Sequence, residues 1–140
     1  MIEPIAGNAI LECVDLTWPW QGIDPFLLCA HHQEAYPAGN GQLALREADR
    51  AGHPLHRDFS GHDGFSIYFG LDGMPGFPSH PHRGMETVSI LRQGYIDHAD
   101  SLGSCGRYGP GDVQWMTAGD GIQHAEVFPL LNADAPNPLE

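Results

Sequence analysis

The sequence predicts a single all-β domain, an antiparallel barrel or sandwich, and three observations carry that expectation. Its 140 residues suffice for one core and leave no room for a second domain of ordinary size. Eighteen Gly and twelve Pro exceed what a helical bundle tolerates. From Asp63 onward, short apolar runs alternate with Gly-containing turns at regular spacing, as in sheets built from short strands.

Taken in chain order, the first third mixes apolar runs, Ala9 to Val14 and Phe26 to Ala30, with loops around Trp18-Pro19-Trp20 and Tyr36 to Gly41. Leu43 to Ala51 (LALREADRA) has the length of one or two helical turns and is stopped by Gly52. Phe65 to Phe69 reads as a strand ended by Gly70. Glu86 to Arg92 and Tyr95 to Asp100 flank Gln93-Gly94, a hairpin signal because Gly adopts positive φ freely. Gly109-Pro110-Gly111-Asp112, with Asp112 holding it, makes the next turn, then Val113 to Thr117 a strand. Gly119-Asp120-Gly121 turns again into a strand from Ile122 to Val127. The barrel is expected over residues 1–128, and residues 129–140, with Pro136 and Pro138, as a tail or linker.

The charge is one-sided: 18 acidic residues face six arginines and no lysine, a net charge of −12. Such a surface repels phosphate backbones and anionic lipid, which argues against nucleic-acid and membrane partners. Cys13, Cys29 and Cys105 form no CxxC pair and no disulfide framework. With no basic-then-apolar leader and no run of transmembrane length, the expected location is the cytoplasm. Nine His stand out, roughly three times the average share for this length.

Two short motifs concentrate that histidine. His80-Pro81-His82 and His124-Ala125-Glu126 each place metal-type side chains at i and i+2, on one face of a strand. Together they supply three imidazoles and one carboxylate. That set suits an octahedral first-row metal with two open positions, Fe(II) first, with Mn, Ni and Cu able to bind the same atoms. His31, His32, His53, His56, His62 and His98 are expected to be exposed or simply hydrogen-bonded. No Ser-His-Asp set and no phosphate-binding loop competes with the metal motifs.

Three stretches carry a family resemblance: Pro75 to Val88 (PGFPSHPHRGMETV), Asp100-Ser101-Leu102-Gly103, and Gly109 to Glu126 (GPGDVQWMTAGDGIQHAE). They resemble the pirins, a branch of the cupin superfamily, and the likeness extends from about Gly22 to Pro129. Asp24 to Leu28 (DPFLL) matches as well, whereas Cys29-Ala30-His31-His32 lacks the acidic residue common there in the family.

The resemblance implies a cupin double-stranded β-helix, or jelly roll, with iron held by three His and one Glu, at positions His80, His82, His124 and Glu126. Several family members are described as quercetin 2,3-dioxygenases, and one mammalian relative also as a nuclear transcription co-regulator. The implied activity is therefore O2-dependent cleavage of a flavonol bound through its 3-hydroxyl and 4-keto oxygens, with Glu126 taking the hydroxyl proton. The alternative is an iron-containing redox sensor that alters binding to a protein partner. Family members carry two barrels and this sequence has one, so the face left uncovered predicts a homo-oligomer.

Glu86 is the competing carboxylate. The general cupin spacing after HxH makes it a ligand, whereas the pirin pattern makes Glu126 the ligand and leaves Glu86 to fix Arg83 or an imidazole N–H. Trp115 and Met116 are expected in the barrel wall, Arg83 in a structural ion pair, and Phe77 and Tyr68 along an aromatic pocket.

Overall fold

The computed structural model describes residues 13, 15, 20–54 and 56–140; the expected run from Ala9 to Val14 and the Trp18-Pro19 loop lie almost wholly outside these. Among the described residues the chain is nearly all strand and turn. The strands are β1 (Trp20–Gln21), β2 (Leu28–Cys29), β3 (Glu34–Tyr36), β4 (Gly76–His82) and β5 (Glu86–Ile90). They continue with β6 (Ile96–Asp100), β7 (Cys105–Tyr108), β8 (Val113–Thr117), β9 (Ile122–Val127) and β10 (Asn137–Leu139). No helix among them is long and apolar enough to cross a membrane.

The sheet that matters for function has the order β4-β9-β6-β7, all antiparallel. Alternation in β9 explains its central place: Ile122 and His124 are buried while Gln123 between them is exposed. β6 repeats the pattern with Ile96 and His98 inward. Gly76 opens β4 at φ +131°, and a Cβ there would lie 2.4 Å from the Glu126 carbonyl oxygen, so only glycine lets the two strands approach. A two-stranded ribbon, β5-β8, packs Met116 onto Ile122 of β9 together with Ala118 and Met85. The main core gathers Tyr36, Leu45, Phe65, Tyr68, Phe128 and Leu130, each buried large side chain contributing about 1.5–3 kcal/mol.

Several expectations are corrected. The Leu43 to Ala51 segment forms only a short 3-10 turn, Glu47–Arg50, with no buried residue to anchor a longer helix. Phe65 to Phe69 is not a strand. Tyr68 sits at φ +62°, and its N–H and C=O pair with Asp58 alone, which turns the backbone out of any ladder. The segments around Gln93-Gly94 do not form a hairpin: β5 pairs with β8, and β6 with β7 and β9. Gly94 instead lies under the C-terminal strand, where a Cβ would come 2.6 Å from the Pro138 carbonyl oxygen.

The segment 129–140 is not a free tail, since β10 pairs antiparallel with β3. Asn137 donates from Nδ2 to the carbonyls of Pro37 and Asn132 at 2.9 and 3.0 Å. Pro138 is exposed, which suits a residue that cannot donate to a ladder. Trp115 is also not in the wall: it is 65% exposed on the outer face of the ribbon, beside exposed Ile90 and Val113. Met116, one residue on, points the other way and is buried as expected.

Candidate metal centre

The register of three strands assembles the site. β9 lies between β4 and β6, with His124 opposite His80 on one side and Asp100 on the other. Two residues further along β9, Glu126 lies opposite Phe77 and His98. The period of two along β6 and β9, with the register irregularity between Phe77 and His80 in β4, turns these side chains to one face.

His80, His82 and His124 bring one nitrogen each to within 4.8 Å of one another. Their ring centroids are 4.4 to 4.9 Å apart. His80 Nδ1 faces the Pro78 carbonyl at 2.9 Å. A carbonyl only accepts, so that nitrogen carries the proton and Nε2 keeps its lone pair. His80 Nε2 stands 3.0 Å from His124 Nε2. Burial, and then the neighbouring rings of His80, His82 and His98, pull the His124 imidazole down to about pH 4 in pKa. His82 is lowered by burial and by His80. Neutral imidazoles with converging lone pairs are the donor set a divalent transition metal requires, so these residues fit such an ion.

Glu126 lies in a neighbouring set with His98 and His124, at the same mutual spacing of 4.8 Å or less. The irregularity in β4 between Phe77 and His80 accounts for this, because it sets Phe77 rather than a His opposite Glu126. Burial raises its carboxyl pKa, and its Oε1 is held only loosely, 3.5 Å from both Ser89 Oγ and Tyr108 OH. Burial and the Glu126 charge push the Tyr108 phenol up as well, so it stays protonated.

Glu86 is outside the cluster. Its Oε2 accepts hydrogen bonds from Trp115 Nε1 and Thr117 Oγ1, both at 2.7 Å, on the exposed face of the ribbon. It does not fix Arg83, which pairs with Asp120 at 2.7 Å. Asp112 holds its turn as expected, accepting from Gly109 N–H at 2.8 Å. Phe77 stacks on Tyr68 with centroids 5.1 Å apart and lies 6.4 Å from the His80 ring, so an aromatic wall does border the cluster. A cavity of about 350 Å³ lies elsewhere, against Asn40, Leu71, Met74 and Val127.

His98 is the residue that sequence reasoning missed. It is buried and hydrogen-bonded, one of the two outcomes expected for it, but its partners tie it to the cluster: Nε2 faces Asp100 Oδ2 at 3.2 Å, and Nδ1 faces His124 Nδ1 at 3.5 Å. The available signal was His98-Ala99-Asp100 itself, a third i, i+2 pair of metal-type side chains on a strand.

A small all-β domain whose convergent imidazoles could hold a metal ion defines the class as a β-barrel with a candidate metal site. Residues 13–136 match the family model described as Pirin. The chain belongs to the pirin family and so to the cupins. Among curated proteins it is 63% identical over 51 residues to a Pseudomonas aeruginosa protein named "Putative quercetin 2,3-dioxygenase", covering 36% of this chain and 18% of that protein. It is 60% identical over 57 residues to "Pirin" of Homo sapiens, covering 39% and 20%. To "Pirin-like protein 2" of Arabidopsis thaliana it is 44% identical over 89 residues, covering 64% and 26%. The matched stretches thus span about a fifth to a quarter of these relatives' own length.

Proposed function

We propose that the chain is an iron-dependent dioxygenase that uses O2 to cleave a flavonol such as quercetin, acting in the cytoplasm. The observation that carries this reading is the convergence of three imidazole nitrogens beside a partly buried carboxylate whose pKa is raised. The name of the Pseudomonas aeruginosa relative supports the choice of substrate class.

In this reading His80, His82 and His124 hold Fe(II), with Glu126 as the fourth ligand or its close neighbour. The ion, when bound, supplies Lewis-acid polarisation of the flavonol oxygens and a route for electrons to O2. Glu126 accepts the flavonol 3-hydroxyl proton. Its raised pKa suits it to that task, and its loose contacts to Ser89 and Tyr108 leave Oε1 free to turn toward the substrate. Tyr108, kept protonated by burial, donates back to the carboxylate and steadies it while it is charged. The Phe77–Tyr68 stack offers a flat apolar surface 6.4 Å from His80 on which flavonol rings can lie.

The test is O2-dependent loss of quercetin by the iron-loaded chain, with iron assayed on the same sample and Glu126→Gln beside it. The expected result is turnover in the parent and a loss of about 10²- to 10⁴-fold in the variant, with iron retained. Iron fully bound without any turnover overturns the dioxygenase reading and favours a non-catalytic redox sensor.

A further inference from the structure

The imidazole pair His98–His124 has a direction built into it. Asp100 is fixed from its other oxygen, because Oδ1 accepts the backbone N–H groups of Leu102 at 2.9 Å and Ser104 at 3.0 Å. The β6–β7 turn therefore clamps this carboxylate and aims Oδ2 at His98 Nε2, 3.2 Å away. A carboxylate facing a ring nitrogen requires a proton on that nitrogen, and Asp100 is held ionised, chiefly by this contact. With its proton on Nε2, His98 presents a lone pair at Nδ1. That lone pair faces His124 Nδ1 at 3.5 Å.

His124 then has two choices. With its proton on Nε2, two lone pairs oppose each other across the 3.5 Å gap to His98. With its proton on Nδ1, it donates to His98 and turns its Nε2 lone pair toward His82 and toward the His80 Nε2 lone pair 3.0 Å away, an opposition that an ion between the rings would relieve. We propose that the Asp100–His98 pair is a positioning device that selects the second arrangement, fixing both the tautomer of His124 and the direction of its metal-binding lone pair. Neither residue touches substrate or holds the ion. The proposal rests on the reading that His80, His82 and His124 are metal donors, and it adds the source of their order.

Outer partners of this kind typically change metal affinity by about 10- to 100-fold when removed. Asp100→Asn is the sharpest probe because it keeps the shape. Its Oδ1 can still accept from Leu102 and Ser104, which leaves the amide NH2 pointing at His98 Nε2. His98 must then move its proton to Nδ1, and His124 must take its own to Nε2, where it blocks the ion.

Two readouts test this. Nitrogen-15 NMR of the metal-free chain reports the tautomer of His98, expected on Nε2 in the parent and on Nδ1 in Asp100→Asn. Titration with cobalt(II) reports affinity, and its visible bands separate imidazole ligation from binding to the exposed thiols of Cys29 and Cys105. The expected loss in the variant is about 10- to 100-fold. Should Asp100→Asn not fold, His98→Gln and His98→Met take its place. Gln keeps a donor for Asp100 and an acceptor for His124, so its affinity is expected near the parent's, and Met is expected to lose the same factor. Equal affinities across parent and variants, or an unchanged His98 tautomer in Asp100→Asn, overturns the relay alone. No cobalt bound at imidazole by the parent overturns the metal reading and the relay with it.

Discussion

Among the described residues two histidine–carboxylate pairs lie buried, and their differences separate a structural histidine from one that serves a site. His53 Nδ1 and Asp58 Oδ2 are 2.6 Å apart, with both side chains 0% exposed. Asp58 also accepts from Ser60 N–H, Ser60 Oγ and Ile67 N–H, so its oxygens are spent on tying the 58–67 loop together. The far nitrogen of His53 meets no polar partner among the described residues, and its ring stacks on Phe65. The His98–Asp100 contact is longer, 3.2 Å, and the far nitrogen of His98 meets another imidazole. The carboxylate is the same in both pairs; what the second nitrogen faces decides the role.

The comparison can be broken most directly at Asp58. Asp58→Ala leaves His53 and the Ile67 N–H buried without their acceptor and frees the Ser60 N–H, at an expected cost of about 3–5 kcal/mol in chemical denaturation. A loss below about 1 kcal/mol would remove the distinction between the pairs. Cobalt affinity of the molecules that remain folded is expected to be unchanged.

Acid separates the two regions by pH. His124 titrates at 6.5 when unfolded and at about 4 when folded, so the unfolded chain binds the extra proton between those values. Stability of the metal-free chain therefore falls as pH drops from 6.5 towards 4. Burial alone would raise the Asp58 pKa, but the hydrogen bonds from Ser60, Ile67 and His53 bring it from 3.8 to about 2. Its contribution, present above pH 3.8, is lost as pH falls towards 2. Denaturation midpoints measured across this range are expected to show two steps, with Asp58→Ala removing the lower one.

The smallest effect serves as a control on the outer face of β6. Arg107 grips Asp97 through Nε at 2.6 Å and Nη2 at 2.8 Å, on register-paired residues of β6 and β7. The pair is half-exposed, so Arg107→Ala is expected to cost no more than about 1 kcal/mol and to leave cobalt affinity alone. A marked loss of affinity would mean that the sheet as a whole, rather than the inward pair, orders the site.

The sequence was most informative where function depends on neighbours along one strand. His80 and His82, and His124 and Glu126, needed only the period of two to be placed on one face, and the all-β class followed from the same alternation and from the turns. It was least informative where function depends on which strands meet. Glu86 satisfies the general cupin spacing, yet β5 pairs with β8 and carries it out to Trp115 and Thr117. His98 carried a local signal in the His98-Ala99-Asp100 pair, but that its ring meets His124 follows only from the β6–β9 register. The Gln93-Gly94 signal failed for a related reason, since β5 pairs with the distant β8 while β6 takes β7 across the next turn and β9 further along. Pro136 and Pro138 suggested a linker, but prolines also mark an edge strand, and Asn137 between them makes the hydrogen bonds that seat it.

The sheet order β4-β9-β6 has a consequence for the unfolded chain. The imidazoles that face each other at 3.0 Å are 44 residues apart in sequence, so the unfolded chain offers an ion only short local sets such as His80-Pro81-His82 and His124-Ala125-Glu126. An ion held between β4 and β9 closes a loop of that length, as a covalent cross-link would, and it favours the folded state by mass action. With His80, His82 and His124 as its ligands, the heat tolerance of this barrel would rise and fall with the free metal concentration around it.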